Sequence, residues 1–141
     1  MLKSVVSAGA LHPTKCVIIG QRHSPIAYND TCDEFLSVRV RDIASIDAFL
    51  AICHSVLPEA DGDWLALIVD IRDLSTVYSN CASLLWRDAG AIIQAMALVA
   101  ESHNMAFCPL GILGQEIVSA LLPNTHYYVP VGVAALGLEK R

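Results

Sequence analysis

Trp64-Leu65-Ala66-Leu67-Ile68-Val69-Asp70-Ile71 is the stretch whose reading decides the fold. It is an apolar run of strand length, broken only by Asp70. Side chains in a strand alternate between the two faces of the sheet, so apolar residues at successive positions require cover on both faces. The run therefore reads as a buried central strand. The segment before it supplies one cover: Ile43, Ile46, Phe49, Leu50, Cys53, Val56 and Leu57 recur at spacings of three and four, an amphipathic helix ended near Pro58. The segment after it supplies the other. From Ser83 to Asn104 the pattern is again helical, and Ala89 to Ala100 is apolar on nearly every side, as in a helix buried all round.

Working outward, strands are expected at Lys15–Ile19, at Glu34–Val40 and within Tyr127–Leu136. The last holds Pro130 and Gly132, which place it on a sheet edge or at a bulge. Ala106-Phe107-Cys108 is short and apolar, and a short helix runs from Gly114 to Leu122, stopped by Pro123. Residues 20–33 are rich in turn formers, and residues 1–14 read as a loop entering the fold. No repeat, low-complexity tract or linker divides the chain, and 141 residues suit a single domain, 1–141. Strands alternating with helices make the class α+β or α/β.

Composition narrows the partners. The chain is 55% hydrophobic, with mean hydropathy +0.51, and so small a domain has little interior in which to hide that material. A membrane span is the first way out, but the best apolar run ends at Glu101, short of the roughly 20 residues a spanning helix needs. The second is an oligomer whose core continues across an interface, and this is the reading adopted. Net charge −5 with scattered basic residues gives no cationic stripe for nucleic acid. No charged and then apolar leader opens the sequence. Five cysteines without a Cys-x-x-Cys spacing fit a reducing cytoplasm rather than a disulfide framework, and the histidines have no metal-ligand spacing.

Three segments, in order, resemble the SagB-type branch of the nitroreductase superfamily, whose dehydrogenases oxidise azoline heterocycles in peptides. They are Ser7-Ala8-Gly9-Ala10-Leu11-His12-Pro13, then Ser83-Leu84-Leu85-Trp86-Arg87-Asp88-Ala89-Gly90-Ala91 opening the long helix, then Cys108-Pro109-Leu110-Gly111-Ile112-Leu113-Gly114 before a helix. Val129-Pro130-Val131-Gly132-Val133 is similar to the family's last strand. The resemblance implies an α+β fold with a mixed sheet flanked by helices and a long buried central helix that builds a homodimer. It implies FMN as cofactor and a small-molecule or peptide substrate. Ser7, Ala8 and Gly9, together with Pro109, Leu110 and Gly111, would then lie against the isoalloxazine ring. Glycine suits such positions because a flat ring needs close backbone approach.

The departures from the family pattern shape the site expectations. Family domains carry an Arg-rich segment for the FMN phosphate ahead of the Ser-x-Gly element, and a further Arg after the terminal glycine, where Val133 stands here. A phosphate needs charge-assisted donors. Arg87 is the expected substitute, with Arg22 and Arg141 as others, unless a partner chain supplies the segment. Where azoline dehydrogenases place a Lys-Tyr pair ahead of the central helix, this sequence has Val77-Tyr78, leaving Tyr78 as the candidate catalytic residue. The alternative is a flavin-free scaffold subunit of a peptide-modifying complex. Plainer readings stand beside these: Tyr78, Trp64 and Trp86 packed in the core, Cys108 as a small buried hydrophobe, and Arg87-Asp88 as an ion pair.

Overall fold

The computed structural model describes residues 5–21 and 23–138. Among these described residues six strands form one sheet: β1 (Thr14–Ile19), β2 (Ile26–Asn29), β3 (Glu34–Ser37), β4 (Asp63–Asp70), β5 (Met105–Leu110) and β6 (Tyr128–Leu138). Their order is β3-β2-β1-β4-β6-β5. The helices are α1 (Ile43–Val56), α2 (Ile71–Val77), α3 (Ala82–Ser102) and α4 (Gln115–Leu121). The class is α+β. Every strand pairing is antiparallel, so the sheet is not mixed as the resemblance implied.

The expected central strand is β4, between β1 and β6, and its residues sort by face. Trp64, Ala66 and Ile68 join a core with Phe49 and Cys53 of α1 and Ile117 and Leu121 of α4. Leu67 and Val69 join a second core with Leu74 of α2 and Leu85 and Ala89 of α3. Helices on both faces are what the unbroken apolar run required. Asp42 starts α1 by accepting a hydrogen bond from the Ala44 amide at 3.1 Å, which supplies one of the unpaired donors of the first turn. That bond and the Ser45 hydroxyl hold its carboxyl below the usual range.

β6 is interior rather than on an edge, and it does carry a bulge. Leu67 pairs with Gly132 and Ile68 with Pro130, which leaves Val131 as the extra residue. Pro130, without an N–H, is tolerated inside a sheet because the ladder is already broken there. A side chain at Gly132 would meet Ile93 of α3 at 3.3 Å, so the glycine lets the helix sit close on the sheet. Two short elements lay outside the sequence reading, β2 within the turn-rich segment and α2 after β4.

α3 corrects two expectations. It has 21 residues, so by length and composition it is sufficient to cross a membrane. The chain path places it otherwise: β4 before it and β5 after it belong to the same sheet, with β6 between them, so α3 lies along that sheet. Nor is it buried all round. Only 17% of its apolar window is buried, in a stripe that includes Leu85, Ala89 and Ala100, while Leu98 is 63%, Val99 58% and Trp86 47% exposed. A single sheet covers a single side of a helix, and among the described residues nothing covers the other.

Candidate functional site

Ser7, Ala8 and Gly9 open a short 3-10 turn, Ala8–Ala10, immediately ahead of β1. Gly9, Ala10 and His12 all take left-handed backbone, at φ 61, 55 and 47. Two of these are not glycine, and such conformations persist only where surrounding contacts impose them. The imposing group is Asp88 on α3. Its carboxylate accepts from the Ser7 hydroxyl at 2.7 Å and from the Ala8 amide at 3.2 and 3.3 Å. Ser7 Oγ in turn accepts from the His12 amide at 3.1 Å. Asp88 is 8% exposed and is the buried charged residue among those described. It therefore does not form the Arg87-Asp88 pair read from the sequence; it turns inward to the loop while Arg87, the next residue back, is exposed.

Tyr78 follows α2 and is half-buried against the core beneath α3. Its hydroxyl would lie 2.5 Å from a Cβ at position 9, so any residue but glycine there would displace the tyrosine. Val77 beside it points outward, 58% exposed. The structure thus brings Ser7, Ala8, Gly9 and Tyr78 together, whereas Arg87, though next to Asp88 in the chain, is exposed.

Pro109, Leu110 and Gly111 stand elsewhere, at the end of β5 on the far side of the sheet. β4 and β6 separate β5 from β1, three strand spacings or about 14 Å across. Leu110 is tucked against the core under α1 and α4, while Pro109 and Gly111 are exposed. A Cβ at Gly111 would meet nothing within 4 Å, so the chain itself does not require glycine there. Cys108 is exposed rather than a buried hydrophobe, and Trp86 likewise stands outside the core, whereas Trp64 is fully buried. Arg22 and Arg141 lie outside the described residues.

Two groups escaped the sequence reading. Asp88 left a signal: it lies three residues after Leu85 and four before Ile92, on the apolar side of its helix, where an acid needs a partner. The other is Arg72 in the first turn of α2. Its Nε donates to Asp70 at 2.9 Å, a terminal nitrogen donates to the Tyr128 hydroxyl at 3.3 Å, and the guanidinium lies 5.6 and 5.7 Å from the Tyr127 and Tyr128 ring centres. Hydrogen bonding to Arg72 holds the Asp70 carboxyl below the usual carboxylate range, and the same contact raises the guanidinium above its own. Nothing in the sequence spacing joins Arg72 to tyrosines 55 and 56 residues away; only the β4–β6 register does.

Against known proteins, no family model and no curated protein matches the chain. Among solved structures it is similar to a chain of the E. coli microcin synthetase McbBCD complex with truncated pro-MccB17 bound. The TM-score is 0.77 at 13% sequence identity, over 100% of this chain and 57% of that one. At this identity the likeness is one of fold. The chain spans 57% of the length of the chain it matches.

Proposed function

We propose that the chain is an FMN-dependent oxidoreductase of the nitroreductase type that acts on a peptide-borne or other small substrate. The observation that carries this reading is the Ser7–His12 loop, held in left-handed backbone by a buried carboxylate at the place where the family resemblance puts the flavin ring. Strained backbone kept in place by dedicated contacts is a mark of binding and catalytic sites. The fold likeness to a chain of a peptide-bound microcin synthetase complex supports a peptide substrate. Ser7–Gly9 and Tyr78 would face the ring in one copy of the chain, and the Pro109–Gly111 turn, about 14 Å away across the sheet, would reach it from a second copy, with Arg87 as the candidate for the phosphate. When bound, the flavin would accept a hydride from substrate. The residues present suit the ring better than the phosphate: Gly111 offers open backbone, while two of the described cations, Lys15 and Arg72, are already paired with Asp30 and Asp70.

The test is the visible spectrum of purified protein with added FMN, in the native chain and in Gly111→Val. Because a side chain at 111 clashes with nothing in the chain itself, the variant is expected to fold normally and to retain at least tenfold less flavin. Equal retention would move the ring away from this turn, and no flavin in either form would favour the scaffold reading. That second reading has its own support, since the Ser7 hydroxyl and Ala8 amide already spend their hydrogen bonds on Asp88.

The same proposal makes the assembly a homodimer through the uncovered side of α3. Leu98 and Trp86 stand outward there, whereas Ala95 and Ala97 are half-buried, so the outward leucine is the better probe. Leu98→Glu would place a charge against apolar surface and is expected to convert the protein to monomer in sedimentation velocity at micromolar concentration. A native chain that already sediments as a monomer would rule out this interface.

A further inference from the structure

A cavity of about 280 Å³ lies between the segment leading into β1, the strands β1 and β2, and α3. It adjoins the proposed flavin surface at Ser7, which lines it, whereas neither Tyr78 nor the Pro109–Gly111 turn does. Its floor is apolar: Leu67, Ile92, Met96 and Cys16, with Val5 and Val6 on the covering side. Burial pushes the Cys16 thiol up to about 12, so this sulfur stays neutral and behaves as an apolar wall. The polar residues around it are His12, Thr14, Lys15, Tyr28, Asp30 and Asp88, with Ser7 beside Asp88.

The charges of that lining do not cancel. Lys15 Nζ meets Asp30 at 2.7 Å, an ion pair at the cavity wall. Asp88 is the deeper carboxylate, and its hydrogen bonds come from the Ser7 hydroxyl and the Ala8 amide, both neutral donors. A buried carboxylate is ordinarily matched by a cation as well as by hydrogen bonds. It also has acceptor positions to spare, since its two oxygens offer about four lone-pair sites. Thr14 adds a buried hydroxyl that has no hydrogen-bond partner, one of two such side-chain atoms among the described residues.

We infer that this cavity binds a small amine with an apolar body, its ammonium head on the Asp88 carboxylate and its body on Leu67, Ile92 and Met96. The size is at the lower end for small-molecule sites, which suits a single ring or a short branched chain. An anionic ligand is disfavoured because Lys15 is already engaged by Asp30, and a neutral one leaves Asp88 without a cation. The inference does not depend on flavin binding.

The experiment uses the full chain and three probes of matched shape: 2-phenylethylamine, 2-phenylethanol and 3-phenylpropanoate. Binding is read by saturation-transfer NMR and quantified by calorimetric titration. The amine is expected to bind at least tenfold more tightly than the alcohol, and the propanoate not measurably. Asp88→Asn, whose amide oxygen can still accept from Ser7, is expected to erase the preference for amine over alcohol. Met96→Phe, which fills the floor, is expected to weaken amine and alcohol alike. Equal binding of amine and alcohol to the native chain, a preference for the propanoate, or no binding of any probe would each overturn the inference. So would a preference that survives in Asp88→Asn. Should circular dichroism show that variant unfolded, the amine-to-alcohol ratio in the native chain and its response to Met96→Phe decide the matter alone.

Discussion

Gly62→Ala is expected to destabilise the protein by about 3 kcal/mol, the upper part of the range for overpacked sites. Gly62 precedes β4, where the chain crosses the end of β6. A Cβ there would fall inside the contact distance of the Leu136 carbonyl oxygen, and 2.8 Å from the Gly137 Cα. Both obstacles are backbone, so no rotamer change relieves them. Relief requires the end of β6 to move away from β4, which breaks the adjoining Asp63–Leu136 pairing. Domains of this size are stable by only about 5–15 kcal/mol, so the loss is a large part of the whole and lowers Tm by roughly 10 °C. Gly90→Ala is the control. Its Cβ would meet nothing within 4 Å on the exposed side of α3, and alanine is the better helix former. Thermal unfolding of the two variants checks the pair; a Gly62→Ala protein that melts within 2 °C or so of the native chain would show that β6 shifts without cost.

Those two glycines also show what the sequence could and could not disclose. The strand–helix order was legible because it rests on local period. The unbroken run of β4 demanded two covers, and the three- and four-residue spacing of α1 and the apolar length of α3 supplied them. Pro130 and Gly132 correctly signalled an irregular strand. They did not reveal that β6 is interior, because a bulge and an edge excuse proline equally well. β2 and α2 were too short to show a period. The mixed sheet came with the family resemblance rather than from residues, and register alone decides it. For α3 the composition was read correctly and its surroundings were not: sequence records how apolar a helix is, not how many neighbours are present to cover it.

The site divides along the same line. Ser7–Gly9 and Tyr78 were each singled out separately, and the structure places them against one another through Gly9. The Pro109–Gly111 turn was expected beside them and lies three strands away, since strand order is a long-range property that no local motif encodes. Asp88 is the instructive miss. Its position on the apolar side of its helix was visible, but an adjacent arginine offered a local partner and concealed the distant one. A charged residue on a buried helical stripe is better matched first to donors across the core, because its side chain points there, whereas its chain neighbour points about 100° away.

The native chain with FMN is expected not to convert a model thiazoline peptide to the thiazole, and Val77→Lys is expected to raise that turnover by roughly 10²–10⁴-fold, the usual contribution of a positioned base. The reaction would remove two hydrogens, a hydride that a bound flavin would take and a proton that a side chain would have to accept, with loss of both visible in the peptide mass. Tyr78 is poorly suited to that proton, because its hydroxyl is wedged against Gly9. Val77 has no proton-accepting atom. It is 58% exposed at the end of α2, so a lysine there has room, and its flexible stem can turn back toward Gly9 and Tyr78. A pH profile separates base catalysis from improved binding, because a lysine base must be neutral and turnover should therefore rise with pH. Turnover by the native chain at the rate of the variant would mean that a base is already present, and Tyr78→Phe and His12→Gln would then identify it. His12 is the alternative of interest, since its left-handed backbone is fixed by the same Ser7–Asp88 network that holds Gly9 against Tyr78.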